Sequence, residues 1–214
     1  MAVVVVGGHS RNVGKTSVVA GIIARTPEMH WTAMKITQFG HGFCTANGEP
    51  CDCTTDEHTI AISTERDGST GTDTARYLAA GAVKSLWART RQGNLAPAMP
   101  RIRKEIAEAQ NVIIESNSVM RFLKPDLYLT VLDHATADFK TSARLFLAHA
   151  DAVLLHAPNL APHWNGISLK LIAGKPQFQI VPPDYVTGEL VEFVVARLMN
   201  AAKSIHVPHS ATLS

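Results

Sequence analysis

Short apolar runs alternate with amphipathic stretches from one end of the chain to the other. Seven runs, residues 3–7, 30–36, 83–88, 111–115, 127–133, 152–156 and 177–181, are near-continuously apolar. Strands covered on both faces in a parallel sheet have that character, whereas half-exposed strands alternate. Between the runs lie segments with apolar positions at helical spacing: 15–25, 74–82, 99–109, 140–150 and 188–203. Pro100 stands where its fixed φ suits a first helical turn. Strand and helix in alternation predict an α/β fold with a parallel, doubly wound sheet of about seven strands.

Residues 37–73 break this rhythm. Turn formers recur there (Gly40, Gly42, Asn47-Gly48-Glu49-Pro50, Asp67-Gly68, Gly71), and neither period is sustained. So long a stretch without regular structure is uncommon inside a compact domain and is usually functional. The pattern predicts an insertion loop, 37–73, within a single domain of residues 1–205, and a flexible tail over 206–214. The loop carries seven acidic residues, one basic residue and every cysteine of the chain.

Composition narrows the class. With 214 residues, 46% of them hydrophobic, the chain can build one sizeable core. A net charge of +2 gives no bulk attraction to nucleic acid or to an anionic membrane, so neither partner is expected. Apolar stretches fall far short of the ~18 residues of a membrane span. Met1-Ala2-Val3-Val4-Val5-Val6-Gly7-Gly8 has no basic start and is broken by glycines, unlike a signal peptide. The expectation is a soluble cytoplasmic protein. Three cysteines do not make a disulfide framework. Cys44-x6-Cys51-x-Cys53-x4-His58 instead offers four soft ligands, suited to tetrahedral Zn²⁺ or to an iron–sulfur cluster.

The most specific stretch is Gly7-Gly8-His9-Ser10-Arg11-Asn12-Val13-Gly14-Lys15-Thr16-Ser17, between the first strand and the first helix. Successive backbone N–H groups in such a turn, together with a helix N-terminus, surround phosphate oxygens. Gly8, Ser10, Asn12, Val13, Gly14, Lys15, Thr16 and Ser17 are the predicted nucleotide contacts. Lys15 would reach the β- and γ-phosphates, and the Thr16 hydroxyl would ligate Mg²⁺. The usual spacing puts the first glycine at position 9, which is His9; Gly8 lies one residue back. His9 is expected to shape the turn rather than to act chemically.

Gly8-x-x-x-x-Val13-Gly14-Lys15-Thr16 resembles the loop of dethiobiotin synthetases and cobyrinate amidases, members of the deviant P-loop group that includes dimerising ATPases and metal-insertion GTPases. Asp73-Thr74-Ala75-Arg76-Tyr77-Leu78-Ala79-Ala80-Gly81-Ala82 is similar to a segment of molybdopterin-guanine dinucleotide biosynthesis protein B. Met34-Lys35-Ile36-Thr37 and Val112-Ile113-Ile114-Glu115-Ser116 resemble that family's Lys-His-Thr and its strand ending in Glu-Gly. The resemblance covers roughly residues 1–120 in pieces, and the cysteine-bearing loop is outside it. It implies a P-loop NTPase fold, a bound ATP or GTP, a homodimer and a partner protein in cofactor biosynthesis. It also implies that Lys35 helps hold substrate and developing phosphate charge.

Glu115 ends an apolar strand, at the sheet edge where α/β proteins bind ligands, and Asp73 precedes a helix. Both are candidate Mg²⁺ partners beside Thr16, although Thr72-Asp73-Thr74 is equally good helix-capping chemistry. Thr37 and Asp133 are lesser candidates at strand ends. His156-Ala157-Pro158-Asn159 ends another strand, and Asn159 could contact a base. Leu160 stands where a guanine-selective Asn-Lys-x-Asp needs lysine, which leaves ATP and GTP both open. Six basic and no acidic residues between Lys84 and Lys104 could receive an anion or simply face solvent.

The expected function is Mg²⁺-dependent nucleoside-triphosphate binding with slow hydrolysis, in cofactor biosynthesis of the molybdopterin-guanine-dinucleotide type. Three alternatives stand beside it: a metallochaperone-like NTPase whose cysteine loop binds metal, an ATP-dependent ligase of the dethiobiotin-synthetase type, and a nucleotide-binding adaptor without turnover.

Overall fold

The computed structural model describes residues 1–40 and 60–205. In chain order these form β1 (Val3–Gly8), α1 (Lys15–Arg25), β2 (Trp31–Phe39), β3 (Ile60–Thr64), α2 (Asp73–Ala79) and β4 (Lys84–Arg91). There follow α3 (Leu95–Ala107), β5 (Asn111–Glu115), β6 (Leu127–Asp133), α4 (Thr141–Phe146), β7 (Ala152–His156), β8 (Gln177–Gln179) and α5 (Gly188–Ile205). The strands make one sheet in the order β3-β4-β2-β5-β1-β6-β7-β8. Every neighbouring pair is parallel except β3 and β4.

Successive residues of the central strands serve opposite faces. Val4, Val6, Ile113 and Leu129 pack with Val18, Ile22, Tyr77 and Leu190, which lie on α1, α2 and α5. Val5, Met34, Leu86 and Ile114 pack with Ala98, Met99 and Ile102 of α3. Helices therefore cover both faces, which is why β1, β5 and β6 read as unbroken apolar runs. Each such Val, Ile or Leu contributes roughly 1.5–3 kcal/mol on burial.

The expected α/β fold with a mostly parallel sheet is present, and three details differ. The sheet has eight strands against about seven expected. The extra one, β3, is an antiparallel edge strand inside the stretch expected to be loop. Its register runs from Ile60↔Thr90 to Thr64↔Leu86. Paired on one side only and framed by turn formers, it lacks the continuous apolar run that marks a buried strand, its apolar residues ending at Ile62. Second, β2 continues to Phe39, because pairing with β4 persists to Phe39↔Arg91. Third, α3 begins at Leu95, which puts Pro100 inside the helix rather than in its first turn. Leu95, Ala98, Met99, Ile102 and Ile106 form the buried stripe, so packing outweighs proline's preference. The predicted tail, 206–214, lies outside the described residues. Among those described, no helix is long and apolar enough to cross a membrane.

Candidate functional site

The carboxyl ends of β1, β2, β5, β6 and β7 lie along one edge of the sheet, and the turn joining β1 to α1 sits at its centre. Gly14 caps α1 with φ +89, and a Cβ there would also strike the ring of Tyr185, so only glycine fits. Asn12 too adopts a left-handed φ, 56°. Helix α1 starts at once, with Val18 N–H donating to the Gly14 carbonyl at 2.9 Å.

Neighbouring strands hold this turn from below and from the side. The Asn117 side chain, just past β5, pairs with both polar groups of Gly8. It accepts from the amide at 2.9 Å and donates to the carbonyl at 2.8 Å. His9 is completely buried. Its Nδ1–H donates to the Asp138 carbonyl at 2.7 Å, and its Nε2 accepts from the Asp133 amide at 2.9 Å. Those partners require the neutral ring, and burial pushes its pKa below the ordinary histidine value, against raising effects of the Asp138 hydrogen bond and nearby carboxylates. The Ser10 hydroxyl donates to Asp138 Oδ2 at 2.6 Å, and His156 Nε2–H to the Val13 carbonyl at 3.1 Å.

The predicted chemical residues converge here. Lys15 Nζ donates to the Ser10 carbonyl at 2.8 Å across the turn. Burial lowers its pKa to about 8, reinforced by Lys140 and Lys35 and opposed by Glu115 and Asp73. Thr16 Oγ1 donates to Glu115 Oε2 at 2.7 Å. Glu115 is only 6% exposed and also accepts from the Tyr77 hydroxyl. Lys35 lies beside Glu115 in register; its ammonium pairs with Asp73 and reaches Glu115 Oε1 at 3.4 Å. Burial alone would raise the Asp73 carboxyl, but the hydrogen bond and charge of Lys35 outweigh it and hold the pKa below the usual value. Asp73 is not the cap of α2. Thr72 takes that place, accepting from Ala75 N–H at 3.1 Å, which leaves the Asp73 carboxylate for Lys35. The Ser17 hydroxyl receives Arg76 Nη2 at 2.9 Å.

A hydroxyl and two carboxylates around Thr16 suit a hard cation, and Mg²⁺ characteristically takes one or two carboxylates with phosphate oxygens and water. Among the described residues there is no group of three or more His, Cys, Asp and Glu suited to a metal.

Other candidates lie apart from this cluster. Asp133 closes its own turn, accepting from the Ala135 amide at 2.9 Å and the Thr136 hydroxyl at 2.8 Å. Thr37 accepts from the Trp87 indole at 3.0 Å. Asn159 is exposed in the turn after β7. The basic run is dispersed: Lys84 pairs with Glu105, Arg103 bonds the Phe122 carbonyl, and Arg89 stacks on Trp87. Cys44, Cys51, Cys53 and His58 lie outside the described residues. Sequence reasoning missed Asn117, Tyr77 and Lys140. Only Tyr77 left a trace, as a large residue on the buried stripe of α2; the other two stand in turns with no periodic signal.

Neither the family models nor the curated proteins compared with this chain give a match. Solved structures do. HypB from Helicobacter pylori, in complex with nickel, superposes with a TM-score of 0.50 at 14% identity, over 97% of this chain and 90% of that one. Bacillus subtilis MobB gives 0.40 at 18% identity over 92% and 98%. LpxK from Aquifex aeolicus, in complex with ATP, gives 0.44 at 15% identity over 98% and 69%. With the Gly-Lys-Thr turn leading into α1, the chain has the fold of the P-loop NTPases.

Proposed function

We propose that this protein binds a Mg²⁺–nucleoside triphosphate and hydrolyses it slowly. The observation that carries this reading is the convergence of Lys15, Thr16, Lys35, Asp73 and Glu115 on one glycine turn at the head of α1. The turn's amides would hold the phosphates. Thr16, with Asp73 and Glu115 behind it through water, would hold Mg²⁺, which when bound shields charge on the β- and γ-phosphates. Lys15 would leave the Ser10 carbonyl for a phosphate oxygen, a stronger charge-assisted bond. Lys35, already between the two carboxylates, would stand beside the transferring group. Asn159, at the same edge, is the candidate base contact, and the base is ATP's or GTP's.

The test is binding of Mg·ATP and Mg·GTP by calorimetry, with phosphate release followed in parallel. Wild type is expected to bind at least one of them, and Lys15→Ala to lose at least about tenfold in affinity. A Lys15→Ala protein that binds as well as wild type would sink the reading.

The pathway proposed is cofactor biosynthesis of the molybdopterin-guanine-dinucleotide type, with a homodimer and a partner protein; its support is the resemblance of residues 73–82. Metal handling is a second reading. Its support is the Cys44, Cys51, Cys53 and His58 spacing, which suits Zn²⁺ or an iron–sulfur cluster, beside a neighbour in fold, HypB, solved with nickel. Metal content of anaerobically purified protein against a Cys51→Ala/Cys53→Ala variant separates the two: bound metal lost in the variant favours the second. Turnover only with an added small acid would favour a ligase, and binding without turnover an adaptor.

A further inference from the structure

The segment that follows β6 is fastened to the glycine turn more tightly than any other. Three hydrogen bonds join them: His9 Nδ1–H to the Asp138 carbonyl, Ser10 hydroxyl to the Asp138 carboxylate, and Lys140 N–H to the His9 carbonyl at 2.8 Å. The Lys140 backbone is thereby pinned beside the second residue of the turn. Its half-buried side chain makes no hydrogen bond or ion pair among the described residues. The ammonium lies instead in the field of Arg11, Lys35, Asp138 and Glu115, and acts in turn on Lys15.

Lys35 has two carboxylates, whereas Lys15 has a carbonyl and Lys140 has neither. Two amines that repel one another are thus held at one turn without a carboxylate in bonding range. Such an arrangement costs stability in the free protein and suits the arrival of a strongly anionic group. Glu115 and Lys35, which act on Lys140, stand beside Thr16, whereas the turn's other end, at Val13, meets His156.

We infer that Lys140 is a phosphate-contacting residue that, with Lys15 and Lys35, binds the terminal phosphoryl group of the nucleotide and so favours triphosphate over diphosphate. This rests on the nucleotide reading above and adds a residue to it. Lys140, at the start of α4, reaches the phosphate from the β6 side, opposite Lys35 on β2, so the terminal phosphate is flanked by cations from both sides of the turn.

The experiment compares Kd for the Mg²⁺ complexes of AMPPNP, GMPPNP, ADP and GDP in wild type, Lys140→Met, Lys140→Gln and Lys140→Arg. The expected result is a loss of tenfold or more for the triphosphate analogue in Lys140→Met and Lys140→Gln. Diphosphate affinity changes less than twofold, and Lys140→Arg restores most of the preference. The nucleotide-free Lys140→Met protein melts no lower than wild type, since a repelling charge has gone. An unchanged ratio of triphosphate to diphosphate affinity overturns the inference, as does an equal loss for both. If Lys15→Ala weakens binding at least about tenfold in that case, the nucleotide reading survives without Lys140. Wild-type protein that binds none of the four overturns both.

Discussion

Lys15 lies in a conflict that binding would resolve. Burial and two neighbouring lysines hold its pKa near 8, and a phosphate oxygen would raise it by replacing a carbonyl with a full negative charge. At pH 8 about half of the free side chains are neutral, so nucleotide binding takes up about half a proton per site. Calorimetry in two buffers of different ionisation enthalpy measures that uptake. Affinity is expected to fall as the pH rises above 8, and neither effect should survive in Lys15→Ala. His9 shows the opposite linkage. Its folded pKa lies below the unfolded value of about 6.5, so as pH falls through 6.5 the unfolded chain takes the proton first. Protonation would also remove the acceptor for the Asp133 amide. Urea unfolding between pH 8 and 5.5 should show stability falling with pH, and the slope should be flatter in His9→Asn. A slope that is the same in both proteins would remove His9 from the account.

At the scale of elements, α3 carries a proline for which its packing compensates. Pro100 is exposed, sixth in the helix, and the N–H it lacks would have reached the Ala96 carbonyl. The buried stripe from Leu95 to Ile106 holds the helix regardless. Pro100→Ala should therefore stabilise the protein by about 1–3 kcal/mol, visible as a melting temperature higher by several degrees. No gain would mean that the helix already bends to accommodate the ring. Helix α2 illustrates a different balance. Thr72 as the cap releases Asp73, and Tyr77 one turn on reaches Glu115, so seven residues deliver two groups to the site. Caps and periodicity were legible along the chain, because both arise from neighbours within four residues. Strand β3 was not, because an edge strand owes its existence to the partner it pairs with, and that partner, β4, lies 22 to 30 positions further along the chain.

The whole molecule adds linkage between the site and global stability. A ligand present at a hundred times its Kd stabilises the native state by about 2.7 kcal/mol. A Mg²⁺–nucleotide that binds should therefore raise the melting temperature by roughly 5–10 °C in a chain of this size, and Lys15→Ala at the same ligand concentration should cut the rise to about half or less. An equal rise in both proteins would place the ligand away from the glycine turn.

By itself the sequence determined the alternation of strand and helix, the two-sided burial of the central strands and the turn from Gly8 to Ser17. These follow from local backbone geometry and from which residues prefer to leave water. Tertiary structure decided which side chains meet there. Glu115 reaches Thr16 across 99 positions of chain, and the Lys140 amide reaches His9 across a longer span still. Those meetings depend on the order β2-β5-β1-β6, which sets strands distant in sequence side by side. No pattern along the chain encodes that order, because it comes from the way the helical crossovers close the two faces of the sheet.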